Sequence, residues 1–363
     1  MNERPRVVVG MSGGVDSSVA AALLVEQGYD VVGIAMRLWG GPSDSGCCSL
    51  DDFLDARRVA AQLGISFYVM DFRREFEQAV VDPFVREYRA GRTPSPCVRC
   101  NQHIKFALFW ERARELGAEY VATGHYARVV RDRATGEAQL WRSRDRAKDQ
   151  SYFLFTAKAD VLAHTLFPVG DMTKDEVRAK AVEIGLPVAA KAESQEICFA
   201  PRGRYAEFVA ERSGEPVSGP IVAADGREIG RHDGVHRFTI GQRRGLGVSA
   251  AEPLYVTSID ADTATVRVGP RASTRAHGLV ARDVHWIGAA RPDVGGSCDL
   301  KIRSRSEAVP VRIAQATEES FSVETDAGLS SVTPGQAAVL YSGDRVLGGG
   351  WIERGTGGLA ACA

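Results

Sequence analysis

The residues Ser12-Gly13-Gly14-Val15-Asp16-Ser17-Ser18 form a glycine-rich turn between two elements, because a run of valines precedes them and a helical pattern follows them. Two adjacent glycines let backbone N–H groups converge on an anion without obstruction by Cβ atoms. The amino end of the following helix adds positive dipole character, and the hydroxyls of Ser12, Ser17 and Ser18 add donors. Asp16 would repel a bare phosphate, so we interpret it as a magnesium ligand or a helix cap. The pattern therefore predicts an anion site between a strand and a helix.

Short β runs alternate with helical patterns on both sides of this loop. Strands are predicted over residues 7–10, 31–37, 66–70 and 120–123, and helices over residues 16–27 and 50–63. Ser49 with Asp52, and Thr173 with Glu176, form capping boxes that open helices. This alternation predicts an α/β domain with a mostly parallel sheet covered on both faces.

The pattern changes after about Arg204. Beyond a short helix over residues 205–212, β runs separated by turns are predicted at 254–259, 265–268, 311–314, 321–325 and 337–341. Regular short strands with Gly and Pro between them favour a barrel or a sandwich. We expect three domains: a nucleotide-binding catalytic domain at 1–204, a small β-rich domain at 205–273 and a terminal β-barrel at 274–363.

The composition is that of an ordinary globular protein with two or three domains. The chain has 363 residues, of which 44% are hydrophobic and 25% charged, and its formal net charge is −1. No overall basic field indicates nucleic acid, yet local clusters such as Arg243-Arg244 suffice for phosphate contacts. The amino terminus lacks a signal-peptide core and no apolar run is long enough for a membrane. We expect a cytoplasmic protein with no membrane partner, whose cysteines are reduced thiols.

The Walker ending Gly-Lys-Ser/Thr is absent, so the loop resembles that of the pyrophosphatase-loop ATPase superfamily, which splits ATP between the α and β phosphates. Further strings resemble the bacterial tRNA 2-thiouridylase family over essentially the whole chain. They are Gly91-Arg92-Thr93-Pro94-Ser95-Pro96-Cys97-Val98-Arg99-Cys100-Asn101, Lys148-Asp149-Gln150-Ser151-Tyr152, Glu193-Ser194-Gln195-Glu196-Ile197-Cys198-Phe199, Phe238-Thr239-Ile240-Gly241-Gln242-Arg243-Arg244-Gly245-Leu246-Gly247 and Pro334-Gly335-Gln336. The resemblance implies an adenine-nucleotide-hydrolase-like first domain that uses ATP and Mg²⁺, and a barrel that contacts tRNA.

The resemblance also implies the roles of individual residues. Cys198 matches the thiol that carries a persulfide, Cys100 matches a second, nucleophilic thiol able to pair with it as a disulfide, and Cys97 lies beside the target base. The positions that match ATP contacts are Gly10, Met11, Ser12, Gly13, Gly14, Val15, Asp16, Ser17, Met36 and Gly124. The positions that match tRNA contacts are Ser95, Pro96, Cys97, His125, Lys148, Asp149, Gln150, Arg303, Ser304 and Gln336. Ser304 departs from the commoner tyrosine, so its contact is expected to differ.

The implied chemistry is coherent. The oxygen at C2 of a uracil is a poor leaving group, and adenylation turns it into AMP. Sulfur must then arrive as a strong nucleophile, which a cysteine persulfide supplies, and a neighbouring thiolate accepts the disulfide left behind. The expected partners are tRNAs with a wobble uridine, namely the Lys, Glu and Gln acceptors, and a sulfur donor such as a cysteine desulfurase or a sulfur-relay protein.

Several alternatives stay open for the cysteines. Cys97, Cys100 and Cys198 could hold a four-iron cluster whose open iron carries sulfide. With His103, the same thiols could instead form a structural zinc site. Cys298 is interpreted as a small buried hydrophobe and Cys362 as a thiol in a loose tail, and the role of Cys47 and Cys48 is open.

Two other classes of protein compete with a thiouridylase. A pyrophosphatase-loop ligase that makes a small metabolite would need no reactive cysteine pair. A non-catalytic RNA-binding protein with a vestigial nucleotide loop would release no pyrophosphate in response to tRNA.

Overall fold

The computed structural model describes residues 4–40, 49–192, 197–200 and 203–357. The expectations for Cys47, Cys48 and Cys362, and the string 193–196 ahead of Cys198, lie outside the described residues. No helix of the described residues is long and apolar enough to cross a membrane.

A parallel sheet forms the first domain, as predicted. Its strands are β1 (Arg6–Gly10), β2 (Asp30–Arg37), β3 (Ser66–Asp71), β4 (Tyr120–Thr123) and β7 (Thr165–Leu166). The strand order β3-β2-β1-β4-β7 reverses direction between β1 and β4. In such sheets a ligand crevice lies outside the carboxyl ends of the strands at this reversal, which is where the glycine loop stands.

Helices cover this sheet and join it to the later domains. They are α1 (Val15–Glu26), α2 (Leu50–Leu63), α3 (Arg73–Phe76), α4 (Asp82–Arg89), α5 (Pro96–Arg99), α6 (Phe109–Glu115), α7 (Ala159–Leu162), α8 (Lys174–Glu183) and α9 (Tyr205–Ser213). Both predicted capping boxes are confirmed, at Ser49 with Asp52 and at Thr173 with Glu176. π-Helical turns link α3 to α4 (Glu77–Val81) and α5 to α6 (Cys100–Leu108).

The later part of the chain is β-rich, as predicted. The central sheet contains β8 (Gly219–Val222), β9 (Glu228–His232), β10 (Tyr255–Asp260) and β11 (Thr265–Gly269). The terminal strands are β12 (Arg275–Trp286), β13 (Ser297–Lys301), β14 (Val309–Ala316), β15 (Ser320–Ser330), β16 (Ala337–Ser342) and β17 (Arg345–Thr356). Pairing of β12 with both β15 and β17 closes these strands into an antiparallel barrel.

The barrel is fastened to the first domain by a hairpin and a shared core. The hairpin of β5 (Ala127–Arg131) and β6 (Ala138–Arg142) joins the barrel sheet where Trp141 pairs with Arg345 of β17. One apolar cluster contains Val98 from the first domain together with Val339 and Trp351 from the barrel. The barrel is therefore positioned directly against α5, the helix that carries Cys97.

Candidate active site

A cavity of about 350 Å³ opens at the carboxyl ends of β1, β2 and β4. Nearly all of the residues predicted to contact ATP line it. Its lining consists of Gly10, Met11, Ser12, Gly14, Val15, Asp16, Ser17, Met36, Leu38, Asp52, Lys105, Thr123, Gly124, His125, Tyr126, Lys148, Gln150, Lys191 and Ala192. The fold therefore brings residues from distant parts of the chain to one crevice, and its volume lies in the range of small-molecule and cofactor sites.

Gly13, the predicted ATP contact outside this lining, shapes the loop. It has a φ of +71°, and a Cβ there would overlap the carbonyl oxygen of Asp52, so glycine is required. The hydroxyl of Ser17 accepts from the backbone N–H of Ser12 at 3.2 Å. The hydroxyl of Ser18 is buried and donates to the carbonyl of Gly14 at 2.8 Å. The expectation that Ser18 offers a donor to phosphate is therefore wrong, because that donor already closes the first turn of α1.

Asp16 has two partners that the sequence did not reveal. The ammonium of Lys174 lies 2.8 Å and 2.9 Å from the two carboxylate oxygens, and the hydroxyl of Tyr126 donates to Oδ1 at 2.9 Å. The Lys174 side chain is 9% exposed and that of Asp16 30%. This cation offsets the repulsion that Asp16 would exert on phosphate, and the carboxylate still faces the cavity, where a magnesium ion would need an oxygen ligand.

Further lysines make the cavity suitable for a polyanion. Lys105, Lys148 and Lys191 all line it. Lys191 contacts Asp52 at 2.7 Å and Asp55 at 2.6 Å, which ties the chain just before residue 193 to the first turns of α2. Lys148 matches a family contact position, whereas Lys174 and Lys191 were missed because their partners lie far away along the chain.

The turn after β4 packs on the glycine loop. A Cβ at Gly124 would lie 2.5 Å from the backbone nitrogen of Ser17, so only glycine permits this approach. The next residue, His125, is buried and its Nδ1 lies 2.7 Å from the hydroxyl of Thr123. Burial lowers the pKa of His125 well below its ordinary value, so the ring stays neutral near pH 7. His125 thus meets the cavity as a neutral, hydrogen-bonded ring, and its contact with tRNA stays a prediction.

The predicted reactive thiols belong to α5, to the π-helical turn after it and to the segment 197–200. Cys97 in α5 is exposed, and Cys100 begins the π-helical turn and is buried. Cys100 belongs to an apolar cluster with Phe199, and Cys198 packs against that same cluster, as does Met36 of the cavity. The fold therefore gathers the two predicted reactive thiols on one cluster, although they are distant in sequence. Cys298 stands apart in the barrel, where burial raises its pKa to about 12, as expected for an unreactive thiol.

Neither metal arrangement proposed for these thiols is formed by the described residues. Within 4–40, 49–192, 197–200 and 203–357, no three His, Cys, Asp or Glu side chains lie close enough to hold a metal ion. The zinc and iron–sulfur alternatives stay predictions.

The residues predicted to contact tRNA occupy two kinds of position. Lys148 and Gln150 reach the cavity, whereas Asp149 accepts hydrogen bonds from the backbone of Ser143 and from Ser151, and so shapes its own loop. Ser95 and Pro96 are buried at the start of α5. Their contacts with tRNA stay predictions.

The barrel residues hold main-chain segments in place. The amide of Gln336 donates to the carbonyls of Thr93 and Pro94, each at 3.0 Å. The guanidinium of Arg303 donates to the carbonyl of Ser331 at 3.0 Å, and its neighbour Ser304 is partly exposed. The pair Arg243-Arg244 is exposed on the central domain. These positions leave Arg303 and the arginine pair accessible to a phosphate backbone.

Three family profiles match the chain in the order of its domains. They describe a tRNA methyl transferase HUP domain over residues 5–202, a tRNA methyl transferase PRC-barrel domain over 206–270 and an aminomethyltransferase beta-barrel domain over 276–352.

The chain is similar over its length to curated bacterial proteins. It is 53% identical to a tRNA-specific 2-thiouridylase MnmA from Geotalea uraniireducens strain Rf4, covering 97% of this chain and 96% of that protein. It is 51% identical to one from Solibacter usitatus strain Ellin6076, covering 97% and 100%. Among solved structures, a 4-thiouridine synthetase–RNA complex with bound ATP aligns with a TM-score of 0.35 at 17% identity, covering 57% of this chain and 50% of that one.

Proposed function

The chain belongs to the tRNA-specific 2-thiouridylase MnmA family, and we propose that it uses ATP to transfer sulfur to C2 of the wobble uridine of tRNA. The observation that carries this proposal is the cavity at the glycine loop, which adjoins the cluster holding Cys100 and Cys198. A site for an activating nucleotide, next to an apolar cluster that carries two thiols, is what a two-step thiolation requires. The reaction yields 2-thiouridine, AMP and pyrophosphate.

In the first step, the C2 oxygen of the uridine attacks the α phosphorus of ATP. The bond from that phosphorus to the bridging oxygen breaks, and pyrophosphate leaves with the electron pair. The loop N–H groups and Lys105, Lys148 and Lys191 suit the charge that develops on the phosphates. We propose that Asp16 would hold a magnesium ion, which would neutralise the departing pyrophosphate.

In the second step, the terminal sulfur of a persulfide on Cys198 attacks C2, and AMP leaves with the former uridine oxygen. A disulfide then joins C2 to Cys198. The Cys100 thiolate attacks the Cys198 sulfur, the old disulfide breaks, and its electron pair stays on the sulfur of 2-thiouridine. Cys100 and Cys198 are left as a disulfide, which an external thiol reductant returns to two thiols.

The contact of both thiols with one apolar cluster supports this relay. We propose a persulfide relay in preference to an iron–sulfur cluster, because the described residues contain no group of three His, Cys, Asp or Glu side chains that could hold a metal ion. Cys97, exposed and three residues before Cys100, is proposed to lie beside the target base together with Ser95 and Pro96.

The substrates and partners follow from this reaction. We propose the tRNAs for Lys, Glu and Gln as substrates, and a cysteine desulfurase or a sulfur-relay protein as the source of the persulfide. Because tRNA is modified in the cytoplasm, the enzyme is proposed to act there. A competing pyrophosphatase-loop ligase would share the ATP cavity but would have no use for Cys198.

The test combines purified protein, an unmodified tRNA transcript, MgATP and a persulfide donor, and measures wobble nucleosides by mass spectrometry. We expect 2-thiouridine together with AMP and pyrophosphate. Cys198→Ser should abolish thiolation, whereas the matched control Cys298→Ser, in the barrel, should retain it. Thiolation at the normal rate by Cys198→Ser would refute the relay. Absence of tRNA-stimulated pyrophosphate release would favour a non-catalytic RNA-binding protein.

A further inference from the structure

Both groups that contact the Asp16 carboxylate are tied to one loop, the segment 145–150. One group is the hydroxyl of Tyr126, at 2.9 Å from Oδ1, and the other is the ammonium of Lys174. Neither residue belongs to the glycine loop, and neither is among the residues that match family contacts.

The link through Tyr126 is short and buried. Its backbone N–H donates to Oε1 of Gln150 at 2.9 Å, and its carbonyl accepts from the backbone N–H of Gln150 at 2.8 Å. The ring is 3% exposed and packs in the cluster that contains Val9 and Val15, which fixes the direction of the hydroxyl. A displacement of Gln150 would therefore shift the backbone of Tyr126. Because the Tyr126 side chain is rigid, its hydroxyl would move relative to the Asp16 carboxylate.

The link through Lys174 runs to the same loop. Its backbone N–H donates to the Asp145 carboxylate at 2.9 Å, and the backbone N–H of Lys148 donates to the Asp145 carbonyl at 3.2 Å. The turn that carries Tyr126 also packs directly on the glycine loop, since Gly124 has no room for a Cβ beside Ser17. Two routes thus join residues 145–150 to the carboxylate at the amino end of α1.

We propose that Tyr126 is a positioning residue that couples occupancy of the 148–150 loop by tRNA to the orientation of the Asp16 carboxylate, so that tRNA and ATP strengthen each other's binding. This inference rests on the proposed function, which makes Lys148, Asp149 and Gln150 tRNA contacts and Asp16 a residue of the ATP loop. Such coupling would favour adenylation when the acceptor is in place and limit loss of ATP to water.

The coupling is measurable without turnover. The dissociation constant of α,β-methylene-ATP with Mg²⁺ is determined with and without a saturating unmodified tRNA transcript, and the ratio of the two values is the coupling factor. Tyr126→Phe keeps the ring and removes only the hydroxyl. Because this variant loses a hydrogen bond to a charged group, its coupling factor should fall on the order of tenfold, toward a value of one. A merely structural role would weaken both affinities equally and leave the ratio unchanged.

Two more variants complete the test. Gln150→Ala removes the side-chain bond to Tyr126 and should also lower the ratio, and the double variant should lose no more than the larger single effect, because the two residues act in one chain. Tyr29→Phe is the matched control. Tyr29 packs against the same cluster as Tyr126 but directly precedes β2, so it lies at the amino ends of the strands and the cavity lies at their carboxyl ends. Its ratio should equal that of the wild type.

The outcomes separate this inference from the proposed function. A wild-type ratio of one, or an unchanged ratio in Tyr126→Phe, overturns the coupling even if the wild type forms 2-thiouridine. Failure of the wild type to form 2-thiouridine with ATP and a persulfide donor overturns the proposed function. The coupling factor is measured by binding alone, so it does not depend on that outcome.

Discussion

Gln336 of the barrel donates a side-chain hydrogen bond of 3.0 Å to the main-chain carbonyl of Pro94 in the first domain. The same amide group donates to the carbonyl of Thr93 at an equal distance. These bonds join residues more than two hundred positions apart and hold the segment just before Ser95, Pro96 and Cys97. A residue predicted to contact RNA therefore also shapes the segment predicted to meet the target base.

Replacement of Gln336 by Glu should weaken tRNA binding. The substitution keeps the shape but puts a carboxylate oxygen where two carbonyls require a donor, at a cost of about 1–3 kcal/mol in local stability. We expect the tRNA dissociation constant to rise by about tenfold while the affinity for an ATP analogue is retained. Gln315→Glu, exposed on β14, is the control. Equal tRNA affinity for wild type and Gln336→Glu would remove the barrel amide from the RNA site.

Arg303 should contribute to the salt dependence of tRNA binding. Its guanidinium is exposed, although it donates to the carbonyl of Ser331, so it can still meet a phosphate. Arg303→Gln should weaken binding and lower the slope of log K against log salt by roughly 0.7–0.9, the value for one phosphate contact. Arg275→Gln removes the same charge from a side chain that also donates to a carbonyl, at Ala327. If both variants change the slope equally, Arg303 has no special role.

The two half-reactions should separate by mutation. Cys198→Ser should still adenylate tRNA and release pyrophosphate but form no 2-thiouridine, because the cavity does not depend on the thiol. Asp16→Ala should lose both activities, since it removes the proposed magnesium ligand and leaves Lys174 buried without that carboxylate. Pyrophosphate release is measured by a coupled assay and thiolation by mass spectrometry. Normal pyrophosphate release by Asp16→Ala would contradict the role of the carboxylate.

Protein stability should decline as the pH falls below about 6.5. Burial depresses the pKa of His125, so the folded protein resists a proton that the unfolded chain accepts near its ordinary pKa of about 6.5. The free energy of unfolding therefore decreases toward lower pH, by at most about 1.4 kcal/mol per pH unit for one such group, until the folded-state pKa is passed. Burial also lowers the pKa of His232, His236 and His285, which adds to the slope.

His125→Asn should flatten this dependence. Urea denaturation between pH 5 and pH 7 measures the slope, roughly spanning the range in which histidines titrate. Asparagine keeps a polar partner for Thr123 but takes up no proton. His277→Asn on the barrel surface is the control. An identical slope for His125→Asn and the wild type would show that His125 does not titrate differently in the two states.

The sequence predicted the architecture because local signals were strong. Helix α2 begins and ends where the Ser49 capping box and Gly64 indicate, and the glycine loop lies between β1 and α1 as its pattern predicts. Hydrophobic periodicity and cap chemistry are local properties, so they can be read from one chain.

The ion pairs inside the site could not be read in that way. Lys174 and Asp16 are 158 positions apart, and Lys191 and Asp52 are 139 apart. Only the packing of α8 and of the chain near residue 191 against the loop brings these charges together. A lone lysine carries no sequence signal of its partner. The hairpin of β5 and β6 was likewise missed as a barrel element, because strand pairing across domains depends on tertiary structure.

The last prediction concerns Cys97 and its replacement by aspartate, a side chain that can serve as an acid or a base. An ordinary thiol titrates near 8.5 and an aspartate near 3.9, so the two residues differ in proton transfer. Cys97 is exposed, and the described thiols do not form a set of three metal ligands. We therefore expect Cys97 to act beside the base and not as a cluster ligand, and Cys97→Asp to retain thiolation with a persulfide donor.

Purification without oxygen distinguishes the two roles of Cys97. Under the persulfide relay, the protein should be colourless and free of iron and labile sulfide, and it should thiolate tRNA only when a persulfide donor is supplied. Under the cluster hypothesis, it should be brown, use free sulfide, and lose both colour and activity in Cys97→Ser. Cys298→Ser is the control for loss of a thiol far from the site. Iron that is retained in Cys298→Ser but lost in Cys97→Ser would overturn the persulfide relay, because a cluster would then require the three thiols to converge.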